Sequence, residues 1–209
     1  MIGLFALPLV AAHCISATAQ ESGALLETAQ DTIWESEIGG GFRKNVRSIE
    51  LKFSRAFGTT AGGSNVPHDL WLSQIQAGLM LADVMEPDHW FGGNLEGLLQ
   101  GIAGGQERPH AAYFLALNGG LRYHFRTNTR WVPFLTASVG IGVTDIDDAD
   151  ATGKFQFNEQ IGTGVRYFFD RTHAVTAEYG LWHISNGGVR EPNDGVNAHV
   201  FSVGFSWLF

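Results

Sequence analysis

Charge is scarce in this chain, and thiols are nearly absent. Asp, Glu, Lys and Arg together make 16% of its 209 residues, against about 25% in a soluble globular domain. A single cysteine, Cys14, excludes an internal disulfide framework and a cysteine-based metal site. Basic residues number 13 against 21 acidic ones, and the net charge of −8 disfavours nucleic acid as a partner. Beyond the N-terminus no apolar run is long enough to cross a bilayer as a helix. What is plentiful is glycine, at 27 residues, and aromatics, at 12%. Together these features point to one all-β domain with one face in lipid.

The N-terminus reads as a targeting segment. Ile2 to Ala12 is apolar, and Ala17-Thr18-Ala19 is a small-x-small cleavage site, so Met1 to Ala19 is expected to be a signal peptide that lacks a basic leader and removes Cys14. Residues 20–46 are expected to form an N-terminal periplasmic segment, in which Ala24 to Trp34 suits a short amphipathic helix before Gly39-Gly40-Gly41. A first strand at Ile33 to Phe42 competes with that reading.

From Ser48 onward the pattern is strand after strand. Ile49, Leu51, Phe53 and Phe57 alternate with Glu50, Lys52 and Ser54, and the same period of two recurs to Phe201, Val203, Phe205, Trp207 and Phe209. Eight such stretches predict an eight-stranded antiparallel transmembrane β-barrel over residues 47–209. Alternation alone does not choose the outer face, because a soluble lipocalin-like barrel would turn the apolar set inward. The aromatics choose it. Tyr123, Phe125, Trp131, Tyr167, Phe169, Trp207 and Phe209 fall at one rim and Trp71, Phe155 and Phe157 at the other, as in a barrel girdled at both bilayer interfaces. The chain also closes on an aromatic strand ending in Phe209, which resembles the assembly signal of outer-membrane barrels. Short connections at Lys44 to Arg47, Glu86 to His89, Arg126 to Arg130 and Asp170 to Thr172 read as periplasmic turns. Gly58 to Asp69, Gly104 to Pro109, Asp145 to Gly153 and Gly187 to Asp194 read as extracellular loops.

On this frame one pair of residues is out of place. His183 and Ser185 sit two apart on the penultimate strand, so their side chains share a face about 6.5–7 Å apart along the strand. That face is the lipid face of Val175, Ala177, Tyr179 and Leu181. Polar groups left unpaired in hydrocarbon cost a few kcal/mol, roughly. A histidine beside a serine is the minimum pair for an activated nucleophile.

His183-x-Ser185-Asn186, Gly188 and Pro192-Asn193-Asp194-Gly195, with Pro133-Phe134 and Ile161-Gly162-x-Gly164 upstream, resemble the outer-membrane lipid A 3-O-deacylase (PagL) or acyloxyacyl hydrolase family. The likeness spans roughly Ser48 to Phe209 and is most specific in the last third. It implies a serine esterase that removes an ester-linked acyl chain from lipid A in the outer leaflet, with Ser185 as nucleophile and His183 as general base. Asn193 and the backbone N–H of Gly188 become candidates for the oxyanion hole, and Asn186 for binding. The chain departs from the family at Asn197, where the family has its glutamate acid. An amide oxygen can orient an imidazole, as in Cys-His-Asn sites, but it does not stabilise the imidazolium as a carboxylate does. Glu159 is the second candidate for the acid: it has the outward parity, and folding the hairpin about Arg171 places it opposite His183.

Simpler readings stand beside these. His183 and Ser185 could be rim residues in the headgroup zone, and Asn186, Asn193, Asp194 and Gly195 are good turn formers. His124 and His199 fit ordinary lumen or rim positions. Asp145, Asp147, Asp148 and Asp150 form an acidic loop that could hold Ca²⁺, with a solvated loop as the plainer reading. His68, His89, His110 and His173 show no metal-ligand spacing. The expectation is therefore an esterase without cofactor or metal, in the bacterial outer membrane, with lipid A or lipopolysaccharide as substrate, outer-membrane lipid around it, and a homodimer left open. A non-catalytic barrel with a degenerate site and a soluble barrel for an apolar ligand are the alternatives.

Overall fold

The computed structural model describes residues 41–209, apart from positions 87 and 128. The expected signal peptide and residues 20–40 lie outside the described residues. The rest is a closed antiparallel barrel in chain order, with β1 (Arg47–Thr59), β2 (Asp69–Met80), β3 (Gly93–Arg108), β4 (Ala112–Phe125), β5 (Trp131–Thr144), β6 (Phe155–Phe168), β7 (His173–Ser185) and β8 (Val196–Leu208), and β8 pairs back onto β1. No helix occurs among the described residues. Strands of 12–16 residues exceed the roughly 9–11 that a tilted transmembrane strand requires.

Sequence parity becomes geometry through the pleat. In β1 the apolar residues Ile49, Leu51 and Phe53 point outward, Phe53 at 65% exposure, while Ser48, Glu50, Lys52 and Ser54 are buried in the lumen. The apolar belt is thus on the outside all round, as expected for a wall in lipid and opposite to a lipocalin-like barrel. Aromatic rings pack in pairs at the rim where the short turns lie: Trp131 packs on Tyr167 with ring centres 4.7 Å apart, and Trp207 on Phe209 at 5.3 Å.

The lumen is filled in layers. Phe42, Val46, Met80, Val132, Phe168, Ala174 and Leu208 form an apolar plug at the end where the chain enters β1. Phe42 and Val46 belong to the expected 20–46 segment, and these final residues help close this end of the barrel; Asn94 Nδ2 donates to the Phe42 carbonyl at 3.0 Å. At the opposite end Leu70, Leu72, Phe114, Trp182, Ile184 and Val196 form a second apolar cluster. Between the two lies a charge network. Glu50 meets Arg122 at 2.8 Å and Arg166 at 3.1 Å; Glu96 meets His124 at 2.9 Å and Arg166 at 3.4 Å; Lys52 meets Glu178 at 3.1 Å.

Two connections differ from the sequence reading. β3 continues to Arg108, so Gly104 and Gly105 are strand residues, not a loop, and the link to β4 is only 109–111. The reason is close approach: a Cβ on Gly104 would lie 2.4 Å from Leu72 Cδ2 and 2.6 Å from the Trp71 carbonyl, so glycine is what lets β3 pair there. At the other end the β2–β3 connection is 81–92, wider than the tight turn expected at Glu86 to His89.

Candidate active site

The site grows out of strand β7. Trp182 and Ile184 face the lumen at 2% and 0% exposure, and Trp182 packs edge-on against Phe114 at 5.1 Å. These two anchors fix the parity, so Leu181, His183 and Ser185 face outward at the end of the strand. The register places Glu159 of β6 and Asn197 of β8 on either side of His183. Glu159 is the neighbour that folding the hairpin about Arg171 predicts, and Asn197 takes the other flank.

The two flanks are not equivalent. His183 Nδ1 and Asn197 Oδ1 are 2.8 Å apart, a hydrogen bond. Glu159 is exposed and makes no hydrogen bond or ion pair to His183 among the described residues. Ser185 Oγ and His183 Nε2 are likewise without a hydrogen-bond partner among the described residues. Two glycines make room for the ring and the amide. A Cβ on Gly195 would lie 2.5 Å from His183 Cε1, and Gly195 also has φ +86°, so space and backbone both select glycine there. A Cβ on Gly62, in the β1–β2 loop, would touch the Asn197 amide at 3.4 Å.

The loop after Ser185 is organised by Asn186. Its side chain is buried. Nδ2 donates to the Arg190 carbonyl at 2.7 Å and the Thr152 carbonyl at 3.0 Å, and Oδ1 accepts from Gly188 N at 2.9 Å. The polar atoms of Asn186, a candidate for binding in the sequence reading, are thus engaged inside the loop. The same bonds commit the Gly188 N–H, an expected oxyanion donor, to Asn186. Asn193 is placed differently. Its Oδ1 accepts the Asn186 N–H at 2.9 Å, which sets the amide against the peptide that follows Ser185 and leaves Nδ2 as a donor.

Sequence reasoning missed Ser64. It is buried in the β1–β2 loop, donates to the Gly195 carbonyl at 2.7 Å, and lies 3.1 Å from Asn197 Nδ2 and 3.0 Å from Asn197 N. Its loop is pinned by Asp150, which accepts from Asn65 N at 2.6 Å and Val66 N at 3.1 Å and meets the buried His68 Nε2 at 2.9 Å. Burial pushes the Asp150 carboxyl up, but the hydrogen bonds from Asn65, His68 and Val66 outweigh it and hold it below the usual carboxylate range. His68, Asp148 and Asp150 bring ligand-type atoms within 4.8 Å of one another, a grouping that sequence spacing did not suggest. His68 Nδ1 is also bonded to Gln106 Oε1 at 2.8 Å, so the cluster joins the first outer loop to β3 as well.

Along the outer wall His183, Asn197 and Glu159 line a shallow furrow of about 820 Å³. One hydrogen-bonded row runs Gly119, Val139, Glu159, His183, Asn197 and Thr59. The next row is Leu121, Ala137, Ile161, Leu181 and His199. The arrangement offers an imidazole, a free hydroxyl and a free amide donor beside an apolar track open to lipid.

Comparison with known proteins bears on the family and the fold. Residues 71–206 match the family model described as lipid A 3-O-deacylase (PagL). Among solved structures, the outer membrane enzyme PagL is 18% identical, with 73% of this chain and 97% of that chain covered and a TM-score of 0.53. Neisserial surface protein A is 16% identical, with 78% and 97% covered and a TM-score of 0.57. At these identities the structural likeness speaks for the fold alone. No curated protein matches the sequence.

Proposed function

The chain belongs to the PagL family of lipid A 3-O-deacylases in the bacterial outer membrane, and we propose that it is a serine esterase that hydrolyses an ester-linked acyl chain of lipid A from the outer leaflet. Ser185 is the nucleophile and His183 Nε2 the general base. The observation that carries the reading is the 2.8 Å bond from His183 Nδ1 to Asn197 Oδ1 on the lipid face, two residues from a free serine hydroxyl. A nucleophile aimed at lipid is useful only to a substrate that arrives through lipid.

In the first step Ser185 Oγ attacks the ester carbonyl while Nε2 takes its proton. Asn193 Nδ2 donates to the oxyanion, a contribution of about 3–4 kcal/mol for one such donor. Gly188 N–H would join it only by leaving Asn186 Oδ1. Collapse expels the sugar alkoxide, which leaves as the alcohol with the proton from His183. Water, deprotonated by the same nitrogen, then releases the fatty acid from Ser185. The apolar rows around Gly119, Ala137, Ile161 and Leu181 hold the acyl chain. Asn197 orients the imidazole, and Glu159, on the opposite flank, supplies the negative charge that an amide lacks.

The test is release of fatty acid from lipid A by the refolded chain in detergent, with Ser185→Ala beside it. A non-catalytic barrel is the second reading, motivated by an amide at the position of the family's acid. It predicts a folded barrel and no release.

A further inference from the structure

We propose that Ser64 is a positioning residue that decides which end of the Asn197 amide faces His183, and through it which imidazole nitrogen carries the proton. The inference rests on the esterase reading above and explains how a chain with asparagine in the acid position can still present a base.

A carboxylate accepts a hydrogen bond through either oxygen, so it needs no guide. An amide has one accepting and one donating end. Turned the wrong way, Asn197 would offer N–H to Nδ1. It would then favour the tautomer protonated on Nε2, which cannot take the serine proton. Something must forbid that orientation, and the hydrogen bonds around Ser64 do so. The Gly195 carbonyl can only accept, so at 2.7 Å it takes the Ser64 hydroxyl proton. The Asn197 backbone N–H can only donate, and at 3.0 Å it uses one lone pair of Ser64 Oγ. What remains at Oγ is a second lone pair, 3.1 Å from the Asn197 side chain. A flipped amide would set two acceptors against each other there. Nδ2 therefore faces Ser64, Oδ1 faces Nδ1 at 2.8 Å, and Nδ1 must be the protonated nitrogen. Nε2 is left with its lone pair toward the outer face.

Ser64 does not touch the substrate in this account; it acts through Asn197. Its loop reaches the site because Asn65 Nδ2 bonds both Asp150 Oδ1 at 2.6 Å and Asp194 Oδ2 at 2.8 Å, which ties it to the β5–β6 and β7–β8 loops.

The experiment is a double-mutant comparison on the full chain refolded in detergent. Ser64→Ala is expected to lower kcat between about tenfold and the roughly 10⁴-fold that a wrong tautomer costs a serine protease, with KM nearly unchanged. Ser64→Thr, which keeps the hydroxyl, restores most of the rate. In an Asn197→Glu background Ser64→Ala is expected to cost less than about twofold, because a carboxylate needs no orientation. An equal loss in both backgrounds, or no loss beside Asn197, would overturn the proposal. The ¹⁵N shifts of the His183 ring give a readout independent of turnover: a single Nδ1-protonated form in the wild type and a mixture in Ser64→Ala. If the wild type releases no fatty acid yet its tautomer depends on Ser64, the positioning role stands and the esterase reading falls. A tautomer indifferent to Ser64 removes the positioning role whatever the activity.

Discussion

Two regions of this barrel hold polar side chains where polar side chains are costly, and they deal with the cost in opposite ways. In the lumen Glu50, Glu96, Arg122, Arg166 and Lys52 are buried and Glu178 half-buried, and each faces an opposite charge within 3.4 Å. On the outer wall His183 has one partner, the Asn197 amide, and Ser185 and Glu159 have none among the described residues. A closed network of charges is scaffold, because each charge in it already faces an opposite one. Polar groups held at a lipid-facing surface with their valences free are available for chemistry. The lumen therefore governs stability and the outer patch activity, and substitutions should separate the two.

The sharpest separation is Ser185→Ala. It removes one outward hydroxyl that bonds nothing among the described residues. Release of fatty acid from lipid A should fall by about 10⁴-fold or more with the heat-modified gel shift of the barrel unchanged. Arg122→Met is the mirror experiment. It takes one cation from Glu50, which keeps only Arg166, and should cost up to about 3–5 kcal/mol in a urea unfolding titration, while activity per folded molecule is kept. Asn193→Ala takes away the proposed oxyanion donor and should lower kcat about 10²- to 10³-fold. Glu159→Gln should cost about tenfold, the loss of one charge near an imidazolium; wild-type turnover in that variant would remove Glu159 from the mechanism. The smallest effect belongs to the Asp150 clasp. Its carboxyl is held below the ordinary value of about 3.9, so its stabilisation is complete above that pH and is lost as the pH falls through the lower folded value. Hydrogen exchange at the Asn65 and Val66 amides should therefore show full protection above the ordinary carboxylate value and release only as the pH falls below it. Asp150→Asn should flatten that dependence.

What could be read from the sequence was whatever obeys a period. The outward parity of His183 and Ser185 follows from alternation, and the pairing of His183 with Glu159 follows from folding one hairpin about Arg171. Gly104 and Gly105 misled because the same residue that breaks a strand also permits the closest strand contact, and only the neighbouring Leu72 tells the two apart. Asn186 lies beside the proposed nucleophile in sequence, but its side chain turns into the loop, a direction that no period encodes. Ser64 was invisible because no periodicity links a loop serine to a strand 133 residues on; closure of β8 onto β1 brings them together. His68 and Asp150 met for the same reason, across loops that alternate patterns do not reach.

The most direct test of the division between lumen and outer wall is fatty acid release from lipid A by the refolded wild type and by Ser185→Ala, measured side by side on preparations with equal folded fractions. Release by the wild type that disappears in the variant is the predicted result. A folded wild type that releases nothing, or release that survives in Ser185→Ala, would contradict the assignment of the outward histidine and serine to catalysis.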